Sequence, residues 1–476
     1  LIFLILVLTS CKEKHSKTAK HDKSNHYKGM VVSARKEASD IGIQIMQQGG
    51  NAFDAMLATE LALAVVHPCA GNLGGGGFMV YRLKNGKTGT LDYREKAPLN
   101  ASKTMYLNTD GTIIENQSKL GIKAVGVPGT VKGVFKAHKR FGLLPAKDVL
   151  KPVIALAKNG YVITTKQYNR IKEYDSILRL INGDQLLFKP DVKIGDTIVN
   201  TKLAETLSRL AVNGSDDFYT GESSKKLIDF ISNKSGIINA EDLKSYDAIW
   251  RAPLTFTFKN YTIHSMGPPS SGGIVLGQIL KMISPYLDHT HTPNSIAYVK
   301  LLVEAEKRAY ADRSYYLGDP DFVNIPKDEL LNPRYLSKRL NKFALDSIVP
   351  SSKISYGNTN FENNESSETT HYSIVDPQGN AVSVTTTLNS NYGSKVFVPE
   401  LGIFLNNEMD DFASSPGSQN AFGLIGYEAN SIKPAKRPLS SMSPTIVLTP
   451  EGEPLMTIGA AGGSRIITTV LQVIIS

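Results

Sequence analysis

A threonine hydroxyl is a poor nucleophile until a base lies within hydrogen-bond reach, and one source of such a base is the residue's own α-amine, once the chain is cut before it. Thr369 stands where that chemistry is possible. Before it, residues 351–368 are rich in Ser, Asn and Glu, with only Ile354, Tyr356 and Phe361 as large apolar side chains. That is too little to hold a packed element against backbone entropy, so a solvated tail is expected. After it, His371, Ser373 and Val375 alternate with Tyr372, Ile374 and Asp376, and residues 381–387 alternate again, the period-two signature of paired strands. Asp376-Pro377-Gln378-Gly379 supplies the turn, with Pro second and Gly fourth as a type I turn prefers. A hairpin folded there sets Thr369 across from Thr386 or Thr387. The peptide bond between Glu368 and Thr369 is therefore a candidate cleavage point, although threonine is also an ordinary strand residue.

Other segments invite chemical readings of their own. Gly74-Gly75-Gly76-Gly77 is followed by no Lys-Ser or Lys-Thr and lacks dinucleotide spacing, so close backbone approach explains it better than phosphate binding. Arg94, between Asp92 and Glu95, reads from pattern alone as a surface ion pair, and Asp411 as a helix or turn cap. Cys69 reads as a small buried hydrophobe with no basic group placed beside it except His67, two residues away. His15, His21 and His26 have no carboxylate or thiol partners at metal-ligand spacing, and no metal or other cofactor is called for.

Length and composition, 476 residues with 41% hydrophobic and 20% charged, allow a sizeable core. The net charge of +9 is spread thinly: residues 12–28 hold six lysines against Glu13 and Asp22, so this arm carries +4 of it. A nucleic-acid surface is not indicated. The apolar run of residues 1–8, ending in Thr9-Ser10-Cys11, is too short to span a bilayer and reads as the end of a bacterial lipoprotein signal. On that reading Cys11 is lipidated, the sequence begins inside the signal, and no disulfide to Cys69 forms.

The periodicity is that of an α and β mixture. Residues 35–48 and a second helix capped by Asn51 and running to Val66 are expected to stack on a sheet, and 294–316 is the clearest long helix. Residues 254–264 and 443–449 read as strands, and the apolar run 466–475 as a helix. Pattern alone suggests a two-layer α+β fold.

The motifs in their order resemble the γ-glutamyltransferases, also called glutathione hydrolases, which are N-terminal-nucleophile hydrolases. The carriers are Gly71-Asn72-Leu73-Gly74-Gly75-Gly76-Gly77-Phe78-Met79, Asp92-Tyr93-Arg94-Glu95, Gly126-Val127-Pro128-Gly129, Pro268-Pro269-Ser270-Ser271-Gly272-Gly273 and Ala309-Tyr310-Ala311-Asp312-Arg313. Beyond Thr369 they are Asn406-Asn407-Glu408-Met409-Asp410-Asp411-Phe412, Arg437-Pro438-Leu439-Ser440-Ser441-Met442-Ser443-Pro444 and Gly462-Gly463-Ser464-Arg465.

The resemblance implies an α+β four-layer αββα sandwich built from two autoprocessed fragments. The chain would divide into a signal remnant 1–11, a linker 12–28, a large fragment 29–368 and a small fragment 369–476 forming a heterodimer, with further sequence expected beyond Ser476. It implies Thr369 as nucleophile, Thr387 as the residue orienting it, and Gly462 and Gly463 as oxyanion donors. For the γ-glutamyl group it implies Arg94, Ser440 and Ser441 around the carboxylate, and Asn389, Glu408 and Asp411 around the ammonium. Phe422 stands in the segment 416–427 where relatives with a lid commonly have Tyr.

The expected function is glutathione hydrolysis, or transfer of the γ-glutamyl group to amino acids or dipeptides, in a lipid-anchored periplasmic protein. The rivals are an acylase or poly-γ-glutamate hydrolase of the same fold, and a non-catalytic surface-binding lipoprotein.

Overall fold

The computed structural model describes residues 29–287, 292–340, 347–356, 369–415, 417, 420 and 424–476. Cys11, the Lys-rich arm, Glu368 and Phe422 lie outside the described residues.

Two antiparallel sheets form the centre. The first has six strands in the order Met30–Val32, Thr370–Val375, Ala381–Thr387, Gly76–Arg82, Thr88–Tyr93 and Ile249–Arg251. The second has four: Pro454–Ile458, Thr445–Leu448, Tyr261–Ser265 and Leu254–Phe258. They pack face to face, the helices Ala52–Val66 and Thr130–Phe141 covering the outer face of the first and Gly272–Ile283 the outer face of the second. This is the four-layer αββα arrangement, not the two layers that pattern alone suggested. The second sheet was the hidden part, because its four strands come from two distant stretches of chain.

The expected hairpin forms in the expected register. Thr386 faces Thr370 and Ala381 faces Val375, so one further step sets Thr369 beside Thr387. Gly379 N–H donates to the Asp376 carbonyl at 3.0 Å. The Asp376 carboxylate also accepts the N–H of Ala52 at 3.0 Å, which ties the hairpin turn to the start of the 52–66 helix. That helix begins in a capping box between Asn51 and Asp54, and every one of its residues is buried, Asp54, Thr59 and Glu60 among them.

Alternation sorts the hairpin's side chains. Tyr372, Ile374, Val382 and Val384 join the core beneath the 52–66 helix, whereas Ser373 and Ser383 bond across to the carbonyls of Thr457 and Ile458 in the second sheet. By the same period of two, Thr369 and Thr387 belong to the face between the sheets.

Boundaries differ locally. Residues 254–264 are two strands turning at Lys259-Asn260, where Lys259 takes φ +52°; no Gly or Pro marks that turn. The long helix is Ile296–Tyr316, starting two residues later than expected, with Ser295 as its cap. Residues 351–356 are not a bare tail: Ser351–Lys353 forms a 3-10 turn, Ile354 is buried, and Tyr356 stacks on Tyr315 at 3.4 Å between ring centroids. Three large side chains were judged too few for order, but two of them find a prepared apolar surface.

Candidate active site

Thr369 ends the first sheet's hairpin at the border between the two sheets. Beside it, Thr387 Oγ accepts the Asn389 N–H at 2.7 Å, which leaves the Thr387 proton available for donation. Its carbonyl accepts from Asn72 Nδ2 at 2.9 Å. The glycine run explains itself at this point: a Cβ on Gly75 would collide with the Thr387 carbonyl oxygen, and one on Gly77 with that of Thr385. Only bare backbone allows the 76–82 strand to lie against the strand that carries Thr387.

A small hollow gathers most of the candidate residues. Thr369, Thr387, Asn389, Arg94, Asp411, Ser440, Ser441 and Gly463 line it, together with Arg313. Gly462 lies on the other side of Thr369, lining a larger cleft. Both glycines have positive φ, +130° and +57°, a region that side chains disfavour. They stand at the entry to the Arg465–Ile475 helix, whose positive end reinforces any anion held there.

Arg94 is fully buried rather than on the surface, and of the two neighbours that pattern suggested only Glu95 pairs with its guanidinium. Nη1 lies 2.6 Å from Glu408 and 3.5 Å from Glu95, and Nη2 contacts Asp411. Asp92 instead accepts the Arg94 backbone N–H at 3.0 Å and pairs with Arg251 and Arg437. Glu408 thus stands behind Arg94 rather than on the wall of the hollow. Asp411 also accepts from Asn420 Nδ2 at 3.0 Å, so it is held within the turn as well as by Arg94.

Burial dominates the electrostatics. It pushes Glu95 up to about 8 against the pull of Arg94, and it raises Glu408 and Asp411 against the same guanidinium. Burial opposes the charge of Arg94, but Glu408, Asp411 and Glu95 outweigh it and raise its affinity for its proton.

Arg313 had no role in the sequence reading, although its motif was recognised. Its Nε donates to Ser271 Oγ at 2.9 Å and its Nη2 to Ser441 Oγ at 3.1 Å, and Ser271 Oγ in turn donates to the Ser440 carbonyl at 2.7 Å. The available signal was a charged residue on the helix face that also carries Ala305 and Ala309. Cys69 also differs from expectation: it is buried, yet Arg170 Nη1 is 3.4 Å from its sulfur and the His67 ring 3.6 Å. Helix 165–182 brings Arg170 there from a hundred residues away. Among the described residues no group of three His, Cys, Asp or Glu side chains is arranged to hold a metal.

The geometry, a threonine at a strand end between paired glycines and an Arg–Asp pocket, agrees with comparison to known proteins. The model of the gamma-glutamyltranspeptidase family matches residues 38–476. The glutathione hydrolase proenzyme of Escherichia coli strain K12 is 43% identical over 452 residues, 94% of this chain and 77% of that protein. The solved gamma-glutamyltranspeptidase of Helicobacter pylori aligns with a TM-score of 0.68 at 39% identity, covering 70% of this chain and 98% of that one. The cephalosporin acylase of Bacillus halodurans, at 24% identity, matches in fold with a TM-score of 0.79 over 94% of this chain and 80% of that one. The chain has the fold of the N-terminal-nucleophile hydrolases and belongs to the gamma-glutamyltranspeptidase family.

Proposed function

We propose that the chain is a glutathione hydrolase and γ-glutamyltransferase that matures by cutting itself before Thr369. In maturation the Thr369 hydroxyl attacks the Glu368 carbonyl, the ester hydrolyses, and the α-amine of Thr369 is released, leaving the fragment that ends at Glu368 and the fragment that begins at Thr369 associated as a heterodimer. In turnover that amine takes the hydroxyl proton, Oγ attacks the γ-carbonyl of the donor, and a γ-glutamyl ester forms. Thr387 orients Oγ, and the amides of Gly462 and Gly463 stabilise the tetrahedral oxyanion. Water, an amino acid or a dipeptide then takes the acyl group.

The donor's α-carboxylate is assigned to Arg94, Ser440 and Ser441, and its ammonium to Asp411 and Asn389, with Glu408 reinforcing the negative side. The observation that carries this reading is the convergence of Thr369, Arg94, Asp411, Ser440 and Ser441 on one hollow, since a γ-glutamyl group presents opposite charges a few ångströms apart at the end remote from its reacting carbonyl. An acyl side chain without an α-ammonium would leave Asp411 unanswered, which disfavours an acylase for such groups, and the lid that the sequence leads one to expect over 416–427 would disfavour a polymer. A non-catalytic lipoprotein would have no need of the processing threonine.

We assign the protein to the bacterial periplasm or cell envelope, anchored through acylated Cys11. No helix among the described residues is long and apolar enough to cross a membrane.

The test supplies full-length protein with γ-glutamyl-p-nitroanilide, with and without glycylglycine. Release of p-nitroaniline, accelerated by the dipeptide and absent in Thr369→Ala, is the expected result. No release from a processed protein rejects the reading.

A further inference from the structure

Two guanidiniums border the donor hollow, Arg94 and Arg313, and they differ in how far each is already engaged. Arg94 is spent on protein groups: Nη1 lies against Glu408 and Glu95, Nη2 against Asp411, and Nε donates to the Pro438 carbonyl at 3.3 Å. Arg313 is only 3% exposed, yet among the described residues no carboxylate pairs with it. Its acceptors there are two hydroxyls, Ser271 Oγ and Ser441 Oγ, and its Nη1 has none. Burial loosens its hold on its proton; Tyr310 and Asp411 oppose this, and the like charge of Arg94 adds to it. A buried cation without an anion is costly to keep. The negative end of its own helix, Ile296–Tyr316, offsets part of that cost, and an anionic group entering the hollow would offset more.

The same contacts govern where the serine protons point. Ser441 Oγ accepts from Arg313 Nη2 at 3.1 Å, so its own proton is free to donate to a ligand. Ser271 Oγ accepts from Arg313 Nε at 2.9 Å and gives its proton to the Ser440 carbonyl at 2.7 Å, which anchors the backbone of Ser440. Ser440 Oγ accepts the Met442 N–H at 3.1 Å, and its proton too is left over. We propose, resting on the γ-glutamyl reading above, that Arg313 is a specificity-determining positioning residue of the donor site: through Ser441 and Ser271 it presents the serine hydroxyls to the donor's α-carboxylate, and its unanswered charge makes the hollow select donors that carry one. A purely structural staple between the 296–316 helix and the serine pair would use the same hydrogen bonds but would not discriminate between donors.

The experiment compares two donors in the same processed enzyme, γ-glutamyl-p-nitroanilide and 4-aminobutyryl-p-nitroanilide, which keeps the chain and the ammonium but lacks the α-carboxylate. The unaltered enzyme is expected to prefer the first by about 100-fold or more in kcat/KM. In Arg313→Gln the preference should shrink to within about tenfold, chiefly through a higher KM for the γ-glutamyl donor. Because it is a ratio within one enzyme, partial loss of folded protein does not move it. Should Arg313→Gln remain uncut, Arg313→Lys decides. A buried lysine without an anion titrates low, and the charged or titratable groups around it would be Asp411, Arg94 and Tyr310. The preference should then decline between about pH 6.5 and 8.5 in Arg313→Lys and stay level in the unaltered enzyme. A preference that survives in Arg313→Gln, or is level with pH in Arg313→Lys, overturns the proposal. Release from neither donor by the processed unaltered enzyme would instead reject the γ-glutamyl reading, so the two failures are distinguishable.

Discussion

The Arg94 guanidinium and the Asp411 carboxylate meet in a direct ion pair, Nη2 to Oδ2, across the donor hollow. They are the cation and anion assigned above to the two charges of a γ-glutamyl group, and here they face each other directly. The space left between them and the serines is about 20 Å³, room for roughly one water. On the proposed reading a donor parts the pair, exchanging one ion pair for two.

Arg94→Lys tests this exchange. A point charge cannot face carboxylate and Asp411 with two directed N–H groups, so donor KM should rise by roughly 10- to 100-fold, the worth of one or two charge-assisted hydrogen bonds. Self-cleavage, which does not use that pocket, should proceed to completion on a denaturing gel. Normal donor KM would show that the pocket is assigned to the wrong residues.

Thr387→Val keeps the side chain's shape and removes the hydroxyl that would orient Thr369. Both processing rate and kcat should fall, by about 100-fold, with little change in donor KM. A selective rise in KM would place Thr387 in binding instead.

Gly75→Ala places a methyl group against the Thr387 carbonyl. The strand must shift, at a cost of about 1–3 kcal/mol, and it shifts at the nucleophile. The variant should melt lower and accumulate as uncut chain. Normal melting and full processing would mean that the strands relax freely there.

Glu60 lies fully buried beneath the hairpin, and burial pushes its carboxyl up from 4.5 to about 7, with the hydroxyls of Tyr372 and Thr386 opposing the shift. A carboxyl raised in the folded state binds its proton more tightly there than in the unfolded chain. Its contribution to stability is complete below about pH 4.5 and is lost as pH rises through about 7. The loss amounts to at most about 3 kcal/mol. Glu60→Gln should flatten the decline in thermal stability between pH 5 and 8 without abolishing it, since Glu95 contributes in the same direction. A decline as steep as that of the unaltered protein would show that Glu60 does not titrate in this range.

The legible parts of the sequence were those in which local chemistry fixes geometry. The turn residues Asp376 to Gly379 set the hairpin register, and register alone set Thr369 across from Thr386 or Thr387. The Asn51 cap and the largely apolar run after it specified a buried helix. The illegible parts depend on distant chain segments. Arg94 reads as a surface ion pair until Glu408 and Asp411, more than three hundred residues away, are folded around it. Cys69 lacks a basic neighbour until the 165–182 helix delivers Arg170. The second sheet joins 254–265 to 445–458, and no pattern within either segment announces the other. Arg313 needed the serine pair beside it before its burial made sense.

The central claim is that the base for catalysis is the α-amine of Thr369, which does not exist until the chain is cut. Mass spectrometry of the active protein measures this directly. The account predicts a fragment whose first residue is Thr369, appearing in step with activity. An unbroken 368–369 bond in fully active protein would contradict it.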